Sequence, residues 1–170
     1  MAMVRIGALA VVVFVLICVQ DAGLRYAAVD GVTPNLALLV VVAAALIRGR
    51  DYGAGIGLIA GLLVDLIPPA TGTAGRWALA FVIVGYLAGM VGTDALRSRR
   101  RMWLVVAGCS LVATSLFAWS GVLLGDTSMT TGHMIAVVAI GVAVDVVAAM
   151  ILLPAALGLI RMLQPVQERA

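Results

Sequence analysis

Apolar residues in this chain fall into long unbroken blocks, separated by short stretches that carry charge, glycine or proline. Six blocks stand out, at about 4–20, 32–47, 53–67, 77–93, 102–125 and 132–160. Strands of a membrane barrel would be short and would alternate apolar with polar positions, so these blocks predict helices. About 20 helical residues cross roughly 30 Å of hydrocarbon, and fewer suffice where the bilayer thins or flanking groups snorkel. The pattern therefore predicts an all-α polytopic membrane protein with six transmembrane helices, a single integral membrane domain over residues 1–170. No room remains for a soluble catalytic domain.

Composition agrees: 64% of the residues are hydrophobic and 11% charged, where a soluble domain runs near one quarter charged. Charge then adds orientation. All eleven basic residues are arginine; Arg5, Arg48, Arg50, Arg97, Arg99, Arg100, Arg101, Arg161 and Arg169 fall on one side of the predicted spans, and only Arg25 and Arg76 on the other. The positive-inside rule puts both termini in the cytoplasm. The net charge of +3 reflects topology, and no nucleic-acid partner is needed to explain it. Arg5 precedes an apolar run as in a secretory signal, but no small-x-small cleavage site follows, so the first block is kept as a span. Cys18 follows Val15, Leu16 and Ile17 rather than small residues, which argues against a lipoprotein anchor. Cys18 and Cys109 both lie in apolar blocks, as packing thiols do.

Within the blocks, Thr33 is placed to cap the second span, with Pro34 in its first turn, and Arg48-Gly49-Arg50 turns tightly into the third. The third span stops at Pro68-Pro69, and residues 70–75 form a loop. Gly53, Gly57 and Gly61, followed by Asp65, recur at a four-residue step and so share one helix face. Gly85 and Gly89 build a similar face on the fourth span. That span is the natural partner of the first stripe, and a helix of another protein is the alternative.

An acid in such a groove is costly unless paired. Counting from the shared turn, Asn35 and Asp65 fall at similar depth, each roughly 18 Å from the cytoplasmic end. An Asn side chain can donate to a carboxylate, and Arg76 can snorkel to the same place, which predicts a polar cluster of Asn35, Asp65 and Arg76. The plain alternative is that Asp65 is simply wetted at the interface. Asp145 is a second deep acid, with Pro154 bending its helix beyond it. Gly-Val-Ala-Val-Asp at 141–145 echoes Gly-Leu-Leu-Val-Asp at 61–65, a faint sign of a three-plus-three repeat. Arg97, Arg99, Arg100 and Arg101 make a cytoplasmic basic cluster suited to anionic lipid, with Trp103 as an interfacial anchor.

Chemistry-bearing motifs are scarce. The chain has no Gly-x-Ser-x-Gly, His-Glu-x-x-His or Walker sequence, and its lone histidine, His133, sits in the outer-edge setting of a solvated loop near Asp126. Asp21, Arg25 and Asp30 read as an ordinary wet connection. The expectation is a protein that is not an enzyme and holds no cofactor or metal.

The order of features resembles the rod shape-determining protein MreD family. The residues that carry the resemblance are Pro34-Asn35-Leu36-Ala37-Leu38, then Gly53, Gly57, Gly61 and Asp65-Leu66, then Val84-Gly85-Tyr86-Leu87-Ala88-Gly89. It covers roughly residues 32 to 92, and Asn35 stands where the family usually has an acid. The resemblance implies a non-enzymatic scaffold of the elongation machinery in a bacterial cell membrane. It implies association with an MreC-like bitopic partner, and indirectly with MreB, RodA and a class B penicillin-binding protein that build peptidoglycan. On that reading the glycine stripes pack against the partner's single span. A second family is the alternative: the substrate-binding subunit of an energy-coupling-factor vitamin transporter, which the chain is similar to in span number, small-residue faces and size. A vitamin site needs converging polar or aromatic groups, and the outer loops offer few beyond Arg76, Asp126 and His133.

Overall fold

The computed structural model describes residues 2–23, 33–66, 74–124 and 131–162. Each apolar block becomes one helix: α1 (Ala2–Gly23), α2 (Leu36–Arg48), α3 (Arg50–Leu66), α4 (Arg76–Val91), α5 (Arg99–Leu123) and α6 (Thr131–Met162). A 3-10 segment over Gly92–Arg97 joins α4 to α5. No strand occurs among the described residues.

Three stretches are long and apolar enough to cross a bilayer unaided: Arg76–Arg97, Arg99–Leu123 and Met134–Met162. Val11–Gln20 and Leu36–Arg48 are apolar but shorter. At 13 residues α2 measures roughly 20 Å, less than the hydrocarbon thickness.

The reason α2 can be short is its position. It is apolar all round, Leu-Ala-Leu-Leu-Val-Val-Val-Ala-Ala-Ala-Leu, and every residue from Leu36 to Leu46 is buried. A helix without a polar face must be covered on all sides, and α1, α3, α4, α5, α6 and the 3-10 segment all pack against it. The outer helices are one-sided. On α6 the inward stripe is Gly141, Asp145, Ala149, Leu153, Leu157 and Ile160, at three- and four-residue steps, while Val147 and Ile151 face outward. Pro154 lies on the outer side of α6, where its missing N–H leaves one carbonyl of the preceding turn without its usual donor; the helix continues through it.

The start of α2 differs from expectation. Asn35, not Thr33, is the N-cap, and the helix begins at Leu36, two residues beyond Pro34. Pro68, Pro69 and residues 70–73 lie outside the described residues, as do Arg25, Asp30, Asp126 and Arg169; so do the side chains of Arg5, Asp21 and His133.

Candidate functional site

A helix that starts inside an apolar body exposes backbone donors that water cannot reach, so other groups must accept from them. At α2 these acceptors are its own N-cap side chain and groups from α1 and α6. The Asn35 carboxamide Oδ1 accepts from Leu38 N at 3.0 Å, an N-cap bond. Gln20 of α1 accepts from Leu36 N through Oε1 at 2.9 Å. Asp145 of α6 accepts from Asn35 N through Oδ1 at 2.6 Å, and its Oδ2 accepts from the hydroxyl of Ser110 of α5 at 2.6 Å. Asp145 is 2% exposed and Ser110 fully buried, while Asn35 and Gln20 at the edge of this hub are partly exposed. The positive end of the α2 dipole faces the carboxyl group. Four helices therefore meet at one polar point in the apolar interior.

The second acid does parallel work at α4. Gly75, the residue before that helix, has φ 102 and no side chain with which to cap it. Asp65 at the end of α3 supplies the cap from outside: Oδ2 accepts from Gly75 N at 2.9 Å and Ala78 N at 3.1 Å, and Oδ1 from Trp77 N at 3.2 Å. Arg76 turns away to α5, donating from Nε to Ser120 Oγ at 2.9 Å and from Nη2 to the Phe117 carbonyl at 2.7 Å. Its guanidinium lies 4.0 Å above the Phe117 ring, on which Trp77 also stacks at 4.3 Å.

The expected cluster of Asn35, Asp65 and Arg76 is thus divided. Asn35 belongs with Asp145, Asp65 with the backbone of α4, and Arg76 with α5. The physical reason is depth. The Asp145 hub meets α5 at Ser110, whereas α4 meets it at Phe117 and Ser120, two to three turns further on and roughly 10–15 Å away. Counting from the shared turn treats α2 and α3 as level, and it overlooks that backbone N–H groups at helix starts are the donors most in need of a carboxylate. Asp65 is half-buried and bonded to three backbone donors, so it is a cap rather than a merely wetted side chain. The echoed Gly-x-x-Val-Asp segments share this chemistry, each acid capping another helix, yet Asp65 caps the next helix in sequence and Asp145 caps α2.

The glycine stripes meet each other. A β-carbon at Gly57 would collide with the Phe81 carbonyl, at Gly61 with the Ala78 backbone, at Gly53 with Gly85 and the Ala45 side chain, and at Gly89 with the Arg50 backbone. Two backbones in van der Waals contact leave no groove. This corrects the expectation that the stripe receives a partner's span: Gly53, Gly57, Gly61, Gly85 and Gly89 are consumed in closing α3 on α4.

At the opposite end of the helices from Asp65, Arg97 pairs with Asp94 at 3.3 Å and Arg50 with Asp51 at 3.8 Å. Arg48 lies over Tyr52 at 4.7 Å, and Arg99, Arg100 and Arg101 are exposed.

Gln20, Ser110, Phe117 and Ser120 are members of these constellations that sequence reasoning passes over. Gln20, Ser110 and Ser120 are polar residues in or at the end of apolar spans, but Ser110 and Ser120 share α5 with Thr114 and Ser115 and Gln20 adjoins Asp21, so none stands out as Asp145 does. Phe117 carries no polar signal. In comparison with known proteins, a family model described as rod shape-determining protein MreD matches residues 3–163. No curated protein and no solved structure matches.

Proposed function

Since the chain belongs to the MreD family of rod shape-determining proteins, we propose that it serves rod shape as a non-enzymatic scaffold of the bacterial cell membrane that holds an MreC-like bitopic protein. Through that partner it would support peptidoglycan synthesis, with MreB, RodA and a class B penicillin-binding protein as indirect associates. The observation that carries this reading is the family match over nearly the whole chain, residues 3–163. It extends far beyond the segment around the glycine stripes on which the resemblance in the sequence rests.

The arrangement of the helices supports a scaffold of a particular kind. The central helix α2 is enclosed and capped by its neighbours, and α3 is closed on α4, so the interior offers no place for a further helix. A partner's span then packs against an outward apolar face, where Leu58 and Leu62 of α3 or Val147 and Ile151 of α6 are presented. In this reading all six helices cross or enter the membrane, with both termini in the cytoplasm, as the nine-to-two arginine asymmetry favours. The short α2 does so inside the shell of the others.

Co-expression of the full chain with an MreC-like protein, followed by detergent extraction and affinity purification, tests the proposal. The expected result is recovery of both chains in fixed stoichiometry. Recovery of this chain alone, folded and in good yield, would remove the basis for the scaffold role.

A further inference from the structure

The fold collects arginines that lie far apart in sequence. Gly89 of α4 rests on the Gly49 and Arg50 backbone, and the 3-10 segment packs on both α2 and α5 with Ala95 fully buried. The turn at 48–50 is thereby brought to the same end as the run at 97–101. The Ser110–Asp145 bond sets α6 antiparallel to α5 in register, which puts Arg161 at that end too. Seven arginines thus gather there, and the acids among the described residues at that end are Asp51 and Asp94, already engaged by Arg50 and Arg97.

Arg99, Arg100 and Arg101 have exposed side chains and no acid within ion-pair distance among the described residues. They occupy the first turn of α5, where positive charge opposes the helix dipole, so they do not serve the stability of their own helix. Their level decides between partners. Trp103 and Trp119 lie about 24 Å apart along α5, close to the hydrocarbon thickness, and tryptophans at this spacing mark the two interfaces. The three arginines sit within one turn outside the first of them, in the layer of the phosphates. Guanidinium groups bind phosphate oxygens in paired hydrogen bonds, which suits them to that layer.

We propose that Arg99, Arg100 and Arg101, flanked by Arg50 and Arg97, form a binding surface for anionic phospholipid headgroups. The inference rests on α5 spanning the membrane, and it is independent of the scaffold role.

The test is native mass spectrometry of the full chain released from nanodiscs of phosphatidylcholine and phosphatidylglycerol, counting the lipids that stay bound. The wild type should retain phosphatidylglycerol well above its bulk fraction. Arg99→Gln, Arg100→Gln and Arg101→Gln combined should weaken that preference by up to roughly a hundredfold in affinity. The three corresponding arginine-to-lysine changes, which keep the charge but not the paired hydrogen bonds, should retain part of it, which separates loss of charge from loss of fold. Retention in bulk proportion by the wild type, or an unchanged preference in the glutamine variant, would overturn the proposal. Lipid preference that persists while co-purification with the MreC-like protein fails would count against the scaffold role alone.

Discussion

Asp145 and Asp65 do the same job in unequal surroundings. Each carboxylate caps the start of a helix other than its own, but Asp145, itself buried, joins α6 to α2 and α5, whereas Asp65 joins two helices that glycine contacts already hold together. The same chemistry is therefore a keystone in one place and a reinforcement in the other. What a buried polar group contributes depends on what else could hold its neighbours if it were gone.

Three substitutions grade that contrast. Gly57→Leu should have the largest effect, because the side chain would have to displace the Phe81 backbone. Overpacking against a main chain with no room to yield is expected to cost about 3 kcal/mol or more. The folded fraction should collapse in a denaturant titration in detergent, with or without a partner present. Asp145→Leu comes next: it strips the acceptor from the part-buried Asn35 N and from the fully buried Ser110 hydroxyl. A loss of about 3 kcal/mol is expected from the two stranded donors, and Asp145→Asn, which keeps one acceptor oxygen, should recover much of it. Asp65→Leu should be the mildest, about 1 kcal/mol, the usual value of a helix cap, because the glycine interface survives it. Asp65→Asn should fall between the wild type and Asp65→Leu. Equal losses at 65 and 145 in the same titration would erase the distinction between keystone and reinforcement.

Much of this architecture is legible in the sequence, for reasons that also mark where legibility ends. Hydropathy places α5 and α6 within three residues of their observed ends, because apolar length is a direct requirement of the bilayer and needs no knowledge of neighbours. The pairing of the glycine faces is likewise visible, since Gly85 and Gly89 repeat the step of Gly53 and Gly57 on the adjacent helix. The start of α2 is less so: Thr33 and Asn35 are both good caps, and the choice depends on where Gln20 and Asp145 arrive from helices distant in the chain. Both acids are recognisable as buried contacts, but their partners are not. Apart from the Ser110 hydroxyl, the donors are backbone N–H groups, which every residue but proline carries and which leave no mark in a sequence. The central burial of α2 has a trace, an eleven-residue run of Leu, Ala and Val with no polar side, that reads as one more span until its shortness is explained by enclosure.

The glycine faces are closed within the chain, and on the proposed function an MreC-like partner would sit on an outward face. Photo-crosslinking in membranes that contain both proteins tests it directly, with a photoreactive residue at one position at a time. Ile56 and Ala60 of α3 are buried, whereas Leu58 and Leu62 of the same helix and Val147 and Ile151 of α6 face outward. Capture of the partner's span is expected from at least one outward position, with crosslinks only within the chain from Ile56 and Ala60. Capture of the partner from Ile56 or Ala60 would show that α3 opens to receive it and would contradict the account.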